Sequence, residues 1–259
     1  MNDLVSVIMP SYNCGQFVEE TIRSVQAQTY QNWEIIFMDD CSTDDTISKV
    51  SAMRDKDSRI HLYQNNANLG AAVSRNNALR EANGRWIAFL DSDDLWKPEK
   101  LEKQIRFMED NGYHFSCTER EVIDENSNAL GIYLTGPGHI TKKKMFQYCW
   151  PGCLTVMYDA NLVGLIQIAD LKKNNDYAMW LKVIKKVDCY LLHENLASYR
   201  QRKGSISHDK ISKLIKSHFL LFKEGEGMST VRAIYYSVQN MIFGIVKKIK
   251  YVRRIATAV

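Results

Sequence analysis

The 259-residue chain lacks the patterns that mark secreted, membrane-spanning and zinc-binding proteins. Its start, Met1 to Leu4, has no basic segment, and no apolar run reaches the roughly 18 residues that cross a bilayer. Its six cysteines form no Cys-x-x-Cys pair, and no histidines are spaced to complete a metal site. Neither a zinc site nor a disulfide framework is expected, and the sequence predicts a cytoplasmic protein.

Two phosphate-binding fingerprints are also missing. No Gly-x-Gly-x-x-Gly pattern follows the first predicted strand, which argues against a dinucleotide-dependent oxidoreductase. No glycine-rich loop carries the lysine of a Walker motif. Hydrophobic residues make up 45% of the chain and charged residues 25%, so an ordinary globular protein is expected.

Charge is distributed unevenly along the chain. Residues 201–259 contain 12 Lys/Arg and 3 Asp/Glu, whereas residues 1–200 contain 22 and 27. An acidic body with a basic tail predicts that the tail meets an anionic surface. Nucleic acid is a poor candidate for that surface, because no recognisable binding motif accompanies the charge.

Strands and helices alternate over about the first 95 residues, which predicts an α/β fold with right-handed crossovers and a parallel sheet. The alternation weakens after Pro98, so a mixed sheet is expected there. Predicted strands lie at 5–9, 34–38, 60–63, 86–90, 115–123, 131–134, 154–158 and 190–199, and predicted helices at 71–82, 98–111 and 177–187. We predict one domain over 1–210, with a nucleotide-binding half (1–97) and an acceptor half (98–210), followed by a basic helical region (211–259).

Three polar loops, 10–15, 39–44 and 91–94, follow predicted strands of the parallel sheet. Ligands of such sheets bind beyond the carboxyl ends of the strands. In the third loop, Asp91, Asp93 and Asp94 follow an apolar strand directly, and buried carboxylates require a cationic partner. Oxygen ligands favour Mg²⁺ or Mn²⁺, which would carry a nucleotide diphosphate. The alternative is an acidic turn that caps the helix after Pro98.

Four motifs in order resemble the inverting family 2 glycosyltransferases. They are Val7-Ile8-Met9-Pro10-Ser11-Tyr12-Asn13, Asp39-Asp40-x-Ser42-x-Asp44, Asn68-Leu69-Gly70 with Ser74-Arg75-Asn76, and Asp91-Ser92-Asp93-Asp94. The resemblance implies the GT-A fold, in which a Rossmann-like nucleotide-binding sheet joins an acceptor half. It also implies inverting transfer of a hexose-type sugar from a nucleotide diphosphate sugar, a UDP-sugar by family habit, to a saccharide hydroxyl.

The resemblance assigns roles to these motifs. It implies that the nucleotide-sugar is held by Pro10, Tyr12, Asn13, Asp39, Asn68, Gly70, Arg75, Asp91 and Ser92. Asp93 would be the metal ligand, with Asp91 beside it and His208 as a further candidate. Three of these assignments have a plain alternative: Arg75 could be a surface residue of a helix, Asp39 a helix cap, and His208 a surface histidine.

The family places its general base in an acidic pair at the start of a helix, and the matching residue here is Asp176. Its neighbour Asn175 departs from the pattern, so no like-charged residue is expected to raise the pKa of Asp176. The alternative is a carboxylate that only stabilises the helix terminus. The acceptor or diphosphate side would include Trp150, Cys153, Trp180 and Arg200, although core packing is equally expected for Trp150.

From about Thr230 the tail has the pattern of a basic amphipathic helix. Its apolar positions are Val231, Ile234, Val238, Ile242, Ile245 and Ile249. Either this helix binds the membrane surface or it packs on its own domain. Similar bacterial enzymes extend undecaprenyl-diphosphate-linked sugars in O-antigen or capsule synthesis, which implies a lipid-linked acceptor and a peripheral location on the cytoplasmic face of the inner membrane.

Two rival functions remain open from the sequence. A nucleotidyltransferase that makes nucleotide-sugars would need a glycine-rich, lysine-bearing loop after the first strand, and residues 10–15 do not supply it. A non-catalytic carbohydrate- or membrane-binding protein would not need Asp91, Asp93 and Asp176 intact.

Overall fold

The computed structural model describes residues 3–202 and 211–255 of the chain. One eleven-stranded sheet runs through these residues, and helices pack against it. The strands are β1 (Val5–Ser11), β2 (Trp33–Asp39), β3 (Ile60–Gln64), β4 (Trp86–Phe89), β5 (Leu95–Trp96), β6 (Phe115–Ile123), β7 (Ala129–Leu134), β8 (His139–Ile140), β9 (Met157–Asp159), β10 (Cys189–Arg200) and β11 (Val252–Arg254). The α-helices are α1 (Val18–Gln26), α2 (Thr46–Arg54), α3 (Ala71–Arg80), α4 (Lys100–Asn111), α5 (Lys142–Gln147), α6 (Ala160–Val163), α7 (Asn175–Val183), α8 (Ile211–Leu220) and α9 (Thr230–Lys250).

Strands β1 to β4 form a parallel block in the spatial order β4-β1-β2-β3. Every residue of β1 and of β2 is buried, because helices cover both faces of the sheet here. Successive side chains of β1 point to opposite faces. Val7 therefore packs in the same core as residues of α1 and α4, whereas Ile8 packs with residues of α3 and α7. The parallel arrangement predicted for the strands of about the first 95 residues is confirmed.

The sheet becomes mixed beyond β4, as predicted. Strand β9 is antiparallel to both β4 and β6, β10 is parallel to β6, and β7 is antiparallel to β6. The predicted strand at 154–158 is wrong at its start, since a 3-10 turn over Cys153–Thr155 precedes β9. Thr155 closes this turn, because its backbone N–H and its hydroxyl both donate to the Gly152 carbonyl, at 2.9 and 2.7 Å.

Trp180 anchors α7 against the sheet. Its indole is fully buried, with the ring of Phe89 edge-on at 4.9 Å and that of Phe115 at 6.0 Å. Burial of such a large aromatic surface fixes α7 in place. The start of α7 is thereby held beside the end of β4.

The tail continues from α8 through a π-helical stretch, Leu221–Gly225, into α9 and β11. The helix predicted from about Thr230 is confirmed, with Ser229 at its N-cap. Strand β11 was not predicted. It pairs antiparallel with β7, Arg253 opposite Tyr133, so the chain returns to the edge of the sheet.

Among residues 3–202 and 211–255, no helix is both long and apolar enough to traverse a bilayer.

Candidate active site

A cavity of about 560 Å³ opens at the carboxyl ends of β1 and β4, where the sequence predicts the ligand edge. Its walls come from the loop after β1, the start of α3, the turn after β4 and the segment that leads into α7. Nine predicted site residues lie in these walls: Pro10, Tyr12, Arg75, Asp91, Ser92, Asp93, Cys153, Asp176 and Arg200. Residues of both predicted halves therefore meet around one space.

Six predicted site residues lie outside the cavity walls: Asn13, Asp39, Asn68, Gly70, Trp150 and Trp180. His208, the further metal candidate, falls outside the described residues. The first four of the six lie within three residues of a cavity residue in the sequence. The two tryptophans belong to the core.

Each carboxylate of the turn after β4 has a different partner. Asp91 Oδ1 accepts a hydrogen bond from Arg75 Nη2 at 2.9 Å, and Asp93 Oδ2 lies 2.8 Å from Arg202 Nε. The buried Asp94 accepts from the backbone N–H of Arg200 at 2.8 Å. The turn is therefore held by three arginines, and two of its carboxylates face the cavity as ion pairs.

The acidic cluster does not cap the next helix. Helix α4 begins at Lys100 and has Glu99 in its N-cap position, so the alternative interpretation is wrong. Burial raises the pKa of Asp93, an effect that Arg202 partly opposes, and raises that of Asp94 further because Asp93 lies beside it. Carboxylates crowded in this way favour the approach of a cation.

Asp176 lies half-buried at the start of α7 and lines the cavity. Its Oδ1 accepts a hydrogen bond from the backbone N–H of Tyr177 at 2.8 Å. Burial raises the pKa of this carboxyl group, and the nearby Arg75 limits the rise. From the sequence no like-charged residue was expected to raise this pKa; burial is the main cause of the rise, and the carboxylate of Asp91 adds to it.

Arg75 joins the two sides of the cavity and is not a surface residue. Its guanidinium is buried, with Nη2 on Asp91 and with Nη1 donating to Asn175 Oδ1, while Nε has no hydrogen-bond partner among the described residues. The amide at Asn175 accepts this bond without adding charge. Arg75 therefore stands between the carboxylate of Asp91 and that of Asp176, and interacts electrostatically with both.

Two adjacent acids at the end of β2 have separate surroundings. Asp40 Oδ2 accepts from the backbone N–H of Gly70 at 2.7 Å, which fixes the loop that opens α3. Asp39 Oδ2 accepts from the backbone N–H of Ser42 at 2.8 Å, but its buried Oδ1 has no partner among the described residues. Asp39 does not cap α2, since Asp45 occupies that position. A buried oxygen without a donor is rare in folded proteins.

The loop residues around these acids set the shape of the edge. Asn13 adopts a left-handed conformation with φ of 49°, and its side-chain oxygen accepts from the backbone N–H of Thr43 at 2.8 Å. Asn68 is exposed, and it lies two residues before Gly70, the N-cap residue of α3. Gly70 has φ of 86°, which a residue with a Cβ adopts only with strain.

Three residues that the sequence assigned to the acceptor or diphosphate side have distinct surroundings. Trp150 is buried and its Nε1 donates to a backbone carbonyl of α5 at 3.0 Å, so it is packed in the core. Cys153 lines the cavity with its side chain mostly covered. The guanidinium of Arg200 is committed to the Asp93 carbonyl and to Glu20, both at 2.7 Å.

Some cavity residues were not found from the sequence. Leu214 and Ser217 of α8 line the cavity, although their segment showed no motif. Arg202 also lines the cavity, and its pairing with Asp93 was not foreseen. Contacts of this kind depend on the path of the chain after β10, and the spacing of residues in the sequence does not predict that path.

The oxygen ligands at this edge fit Mg²⁺ or Mn²⁺. Asp91 and Asp93 offer carboxylate oxygens only, both partly exposed to the cavity. In the part of the chain that the structure describes, no three His, Cys, Asp or Glu side chains gather as a complete metal site. Mg²⁺ is commonly held by one or two carboxylates together with substrate phosphates, so this pair is compatible with it.

A family model described as "Glycosyl transferase family 2" matches residues 6–157, which include the loop after β1 and the turn at Asp91. The chain belongs to glycosyl transferase family 2. As a family 2 glycosyltransferase it is an enzyme, and this decides against the non-catalytic protein and the nucleotidyltransferase. The match ends before α7, so it does not include Asp176.

Two relatives extend over nearly the whole length of this family 2 glycosyltransferase. The "Putative teichuronic acid biosynthesis glycosyltransferase TuaG" of Bacillus subtilis (strain 168) is 40% identical over 237 residues, covering 91% of this chain and 94% of the relative. The "UDP-Glc:alpha-D-GlcNAc-diphosphoundecaprenol beta-1,3-glucosyltransferase WfgD" of Escherichia coli is 39% identical over 249 residues, covering 94% of each. Both matches therefore extend beyond residue 157, where the family model ends.

Two solved structures share the fold of this family 2 glycosyltransferase. S. aureus TarS 1-349, solved with UDP-GlcNAc, has a TM-score of 0.69 at 19% identity and covers 92% of this chain and 71% of its own. The mannosyltransferase PcManGT from Pyrobaculum calidifontis, solved with GDP-Man and Mn²⁺, has a TM-score of 0.62 at 14% identity, covering 95% and 75%. The predicted GT-A fold is confirmed.

Proposed function

We propose that this enzyme moves a hexose-type sugar from a UDP-sugar to a hydroxyl of a saccharide carried on a polyprenyl diphosphate, with inversion at the anomeric carbon. The observation that carries the proposal is the meeting of Asp91, Asp93 and Asp176 around one cavity, with Arg75 between them. The donor is supported by the names of two E. coli relatives, WfgD and WfaP, which use UDP-Glc. The same names, which specify GlcNAc-diphosphoundecaprenol, support the acceptor.

The proposed reaction is a single displacement. The acceptor oxygen forms a bond to the anomeric carbon while the bond from that carbon to the donor diphosphate breaks, and UDP leaves. Asp176 takes the proton of the acceptor hydroxyl, which its raised pKa favours because a stronger base accepts a proton more readily. Inversion requires that the acceptor attack from the face opposite the leaving diphosphate, and Asp176 and the turn at Asp91 line the same cavity.

On the donor side, Arg75 would stabilise the leaving diphosphate as a fixed cation. The pair Asp91 and Asp93 would hold Mg²⁺ or Mn²⁺, which, when bound, neutralises charge on the diphosphate. A Mn²⁺ ion in the PcManGT structure supports a divalent ion in this fold. The unpaired oxygen of Asp39 supports its proposed role as acceptor for a nucleobase N–H.

Binding of UDP tests the donor site. We expect Mn²⁺ to tighten UDP binding to the wild-type enzyme and to have little effect on Asp93→Ala, measured by calorimetric titration with and without the ion. Asp110→Ala is the matched control, because Asp110 is exposed on α4 and away from the cavity. If Mn²⁺ does not change the affinity of the wild-type enzyme for UDP, the result counts against the proposed donor site.

Release of UDP tests the acceptor. We expect UDP release from UDP-glucose to depend on a synthetic acceptor in which N-acetylglucosamine is joined through diphosphate to a lipid. The same sugar without diphosphate and lipid is the control. Equal rates with both acceptors would remove the lipid-linked diphosphate from the proposal while leaving the transferase intact.

The location follows from the acceptor. A polyprenyl diphosphate lies in a bilayer, so we propose that the enzyme works peripherally at the cytoplasmic face of the inner membrane. A role in surface-polysaccharide synthesis, as O-antigen or capsule, fits the name of the B. subtilis relative, which specifies teichuronic acid biosynthesis.

A further inference from the structure

Helix α9 presents two unlike faces, and the one turned toward the protein carries buried polar residues beside the aromatic rings of Tyr236 and Phe243. Ala233, Ser237, Asn240 and Lys247 are its buried residues, and they recur at three-, four- and seven-residue spacing. Asn240 Nδ2 donates to the Tyr177 hydroxyl at 2.8 Å. Lys247 Nζ donates to the backbone carbonyls of Trp150 and Cys149, at 3.0 and 3.5 Å. The helix is thus fixed by specific polar bonds on this side.

The apolar face of α9 points away from the protein. Six aliphatic residues on it are each at least 50% exposed: Val231, Ile234, Val238, Ile242, Ile245 and Ile249. With 3.6 residues per turn they fall within roughly a third of the helix circumference, opposite the buried face. Singly exposed aliphatic residues are ordinary, but a continuous stripe over the whole length of a helix marks a binding surface.

Charge around this stripe has one sign. Residues 227–259 contain six Lys/Arg and no Asp or Glu. Lys248, Lys250, Arg253 and Arg254 are exposed at the C-terminal end of the stripe. The surface therefore combines exposed aliphatic side chains with a cluster of free-standing positive charge, which suits a bilayer that contains anionic lipid.

We propose that α9 lies on the surface of an anionic bilayer, with the aliphatic stripe among the acyl chains and the basic end against the headgroups. A second copy of the chain fits the stripe less well, because two copies would bring their positive charges together with no acid in 227–259 to offset them. The choice of a lipid surface rests on the proposed function, whose acceptor lies in the same bilayer.

The buried face of α9 connects this surface to the cavity. Tyr177, which accepts the bond from Asn240, directly follows Asp176 on α7. Lys247 holds the loop at Trp150 that leads to Cys153, a cavity residue. Docking through the outer face of α9 would therefore leave α9 and the Tyr177 side chain between the lipid surface and the start of α7, where Asp176 lines the cavity.

Vesicle co-sedimentation of the full-length enzyme tests the proposal. Wild-type protein is expected to bind vesicles of phosphatidylcholine with phosphatidylglycerol, and to bind less at high salt or with phosphatidylcholine alone. The double variant Ile242→Gln/Ile245→Gln is expected to lower the partition coefficient by about tenfold or more, because two aliphatic side chains no longer enter the acyl region. Leu162→Gln, at an aliphatic residue 54% exposed on α6, is the matched control and should bind like wild type.

Two further measurements separate the outcomes. Thermal unfolding should show the same midpoint for both variants, since both changes are at exposed positions. Analytical ultracentrifugation without vesicles reports self-association. The proposal is overturned if wild-type protein ignores phosphatidylglycerol, or if the double variant binds vesicles normally and only converts a dimer into a monomer. Neither assay contains donor or acceptor, so a failed transfer reaction leaves this result unaffected.

Discussion

At the scale of single residues, the proposed chemistry depends on the protonation of Asp176. Its carboxyl group is the one that accepts a proton in the proposed displacement. Burial favours its neutral form and Arg75 favours its charged form, with burial the stronger effect. Asp176 must be deprotonated to accept a proton from the acceptor hydroxyl.

The pH dependence of transfer follows from this balance. Because the pKa is raised above 3.8, we expect kcat/KM to rise with pH through an inflection above that value and then to level off. Initial rates of UDP release between about pH 4 and pH 8 measure it. A rate independent of pH over that range would show that Asp176 does not limit the reaction.

Asp176→Asn removes the base and keeps the size of the side chain. Transfer is expected to fall by about 10² to 10⁴, which is the usual contribution of a general base. UDP affinity should stay nearly unchanged, as the donor side keeps Asp91 and Asp93. Asp170→Asn, at an exposed position outside the cavity walls, serves as the control. Transfer at the wild-type rate in Asp176→Asn would rule out this base.

Lys100 gives a prediction about stability. It is fully buried, 2.7 Å from Gln104 Oε1 and 4.3 Å above the ring of Trp96, and burial lowers its pKa from 10.5 to about 7. Between those values the folded state binds fewer protons than the unfolded state, so stability contributed by this residue rises with pH.

Lys100→Met removes that titration. The free energy of unfolding of the wild type, measured in urea, should rise relative to the variant between pH 7 and pH 10 by up to about 1.4 kcal/mol per pH unit. The difference between the two proteins isolates Lys100 from Lys247, whose pKa burial also lowers to about 7. A constant difference over this range would contradict the assignment.

At the scale of elements, Arg200 at the end of β10 holds several loops together. Its buried guanidinium donates to the Asp93 carbonyl, to Glu20, to Ser127 Oγ and to the carbonyls of the turn after β6. A buried charge that satisfies so many groups leaves each of them unpaired when it is removed.

Arg200→Met is expected to lower the free energy of unfolding by about 3 kcal/mol, measured by urea denaturation. It should also weaken UDP binding, since the turn that carries Asp93 loses its support. Arg54→Met is the control, because Arg54 makes only a surface pair with Asp55 and should change stability by less than about 1 kcal/mol. If the two substitutions lower the free energy of unfolding equally, the contacts of Arg200 do not stabilise the fold as described.

The elements of the first half could be predicted because their periodicity is set by burial on both faces. Strand β1 reads as an apolar run and ends at a proline and a polar loop, and the structure agrees within two residues. The two-residue strands β5 and β8 carry too few residues for any periodicity. For α9 the pattern predicted the helix but not which face would pack, since Asn240 and Lys247 are buried by specific partners and not by apolarity.

The same distinction applies to the site. Asp91 and Asp93 could be predicted because one strand delivers them to a known edge, and Asp176 because it heads a helix in a recognisable stretch. The positions of Arg202 and Ser217 at the cavity could not be predicted, because both residues lie more than 100 positions after the Asp91 turn in the sequence.

At the scale of the whole molecule, the tail shares the core of the enzyme. Tyr236 and Phe243 of α9 pack against the same hydrophobic cluster as Trp180 and Phe89, and β11 extends the sheet at β7. Residues from one end of the chain to the other therefore contribute to one core.

A variant that ends at Gly227 tests this. Loss of α9 and β11 would expose the cluster around Phe222 and Tyr177, so we expect the thermal midpoint to fall by about 10 °C or more, measured by circular dichroism. An unchanged midpoint would show that the tail folds as an independent unit. Asn240→Ala, which removes only the bond to Tyr177, should lower the midpoint by a smaller amount.

The bond from Arg75 to Asn175 spans 100 residues and joins the two halves across the cavity. This pairing limits how the enzyme can be recombined. Consider a relative that has an aspartate at the position of Asn175, and a chimera that takes residues 1–97 from it. The arginine at position 75 would pair with two carboxylates in the relative, but with Asp91 and the amide of Asn175 in the chimera. Exchange of donor specificity between such enzymes should therefore succeed more often when the residue at position 175 on α7 is exchanged together with residues 1–97.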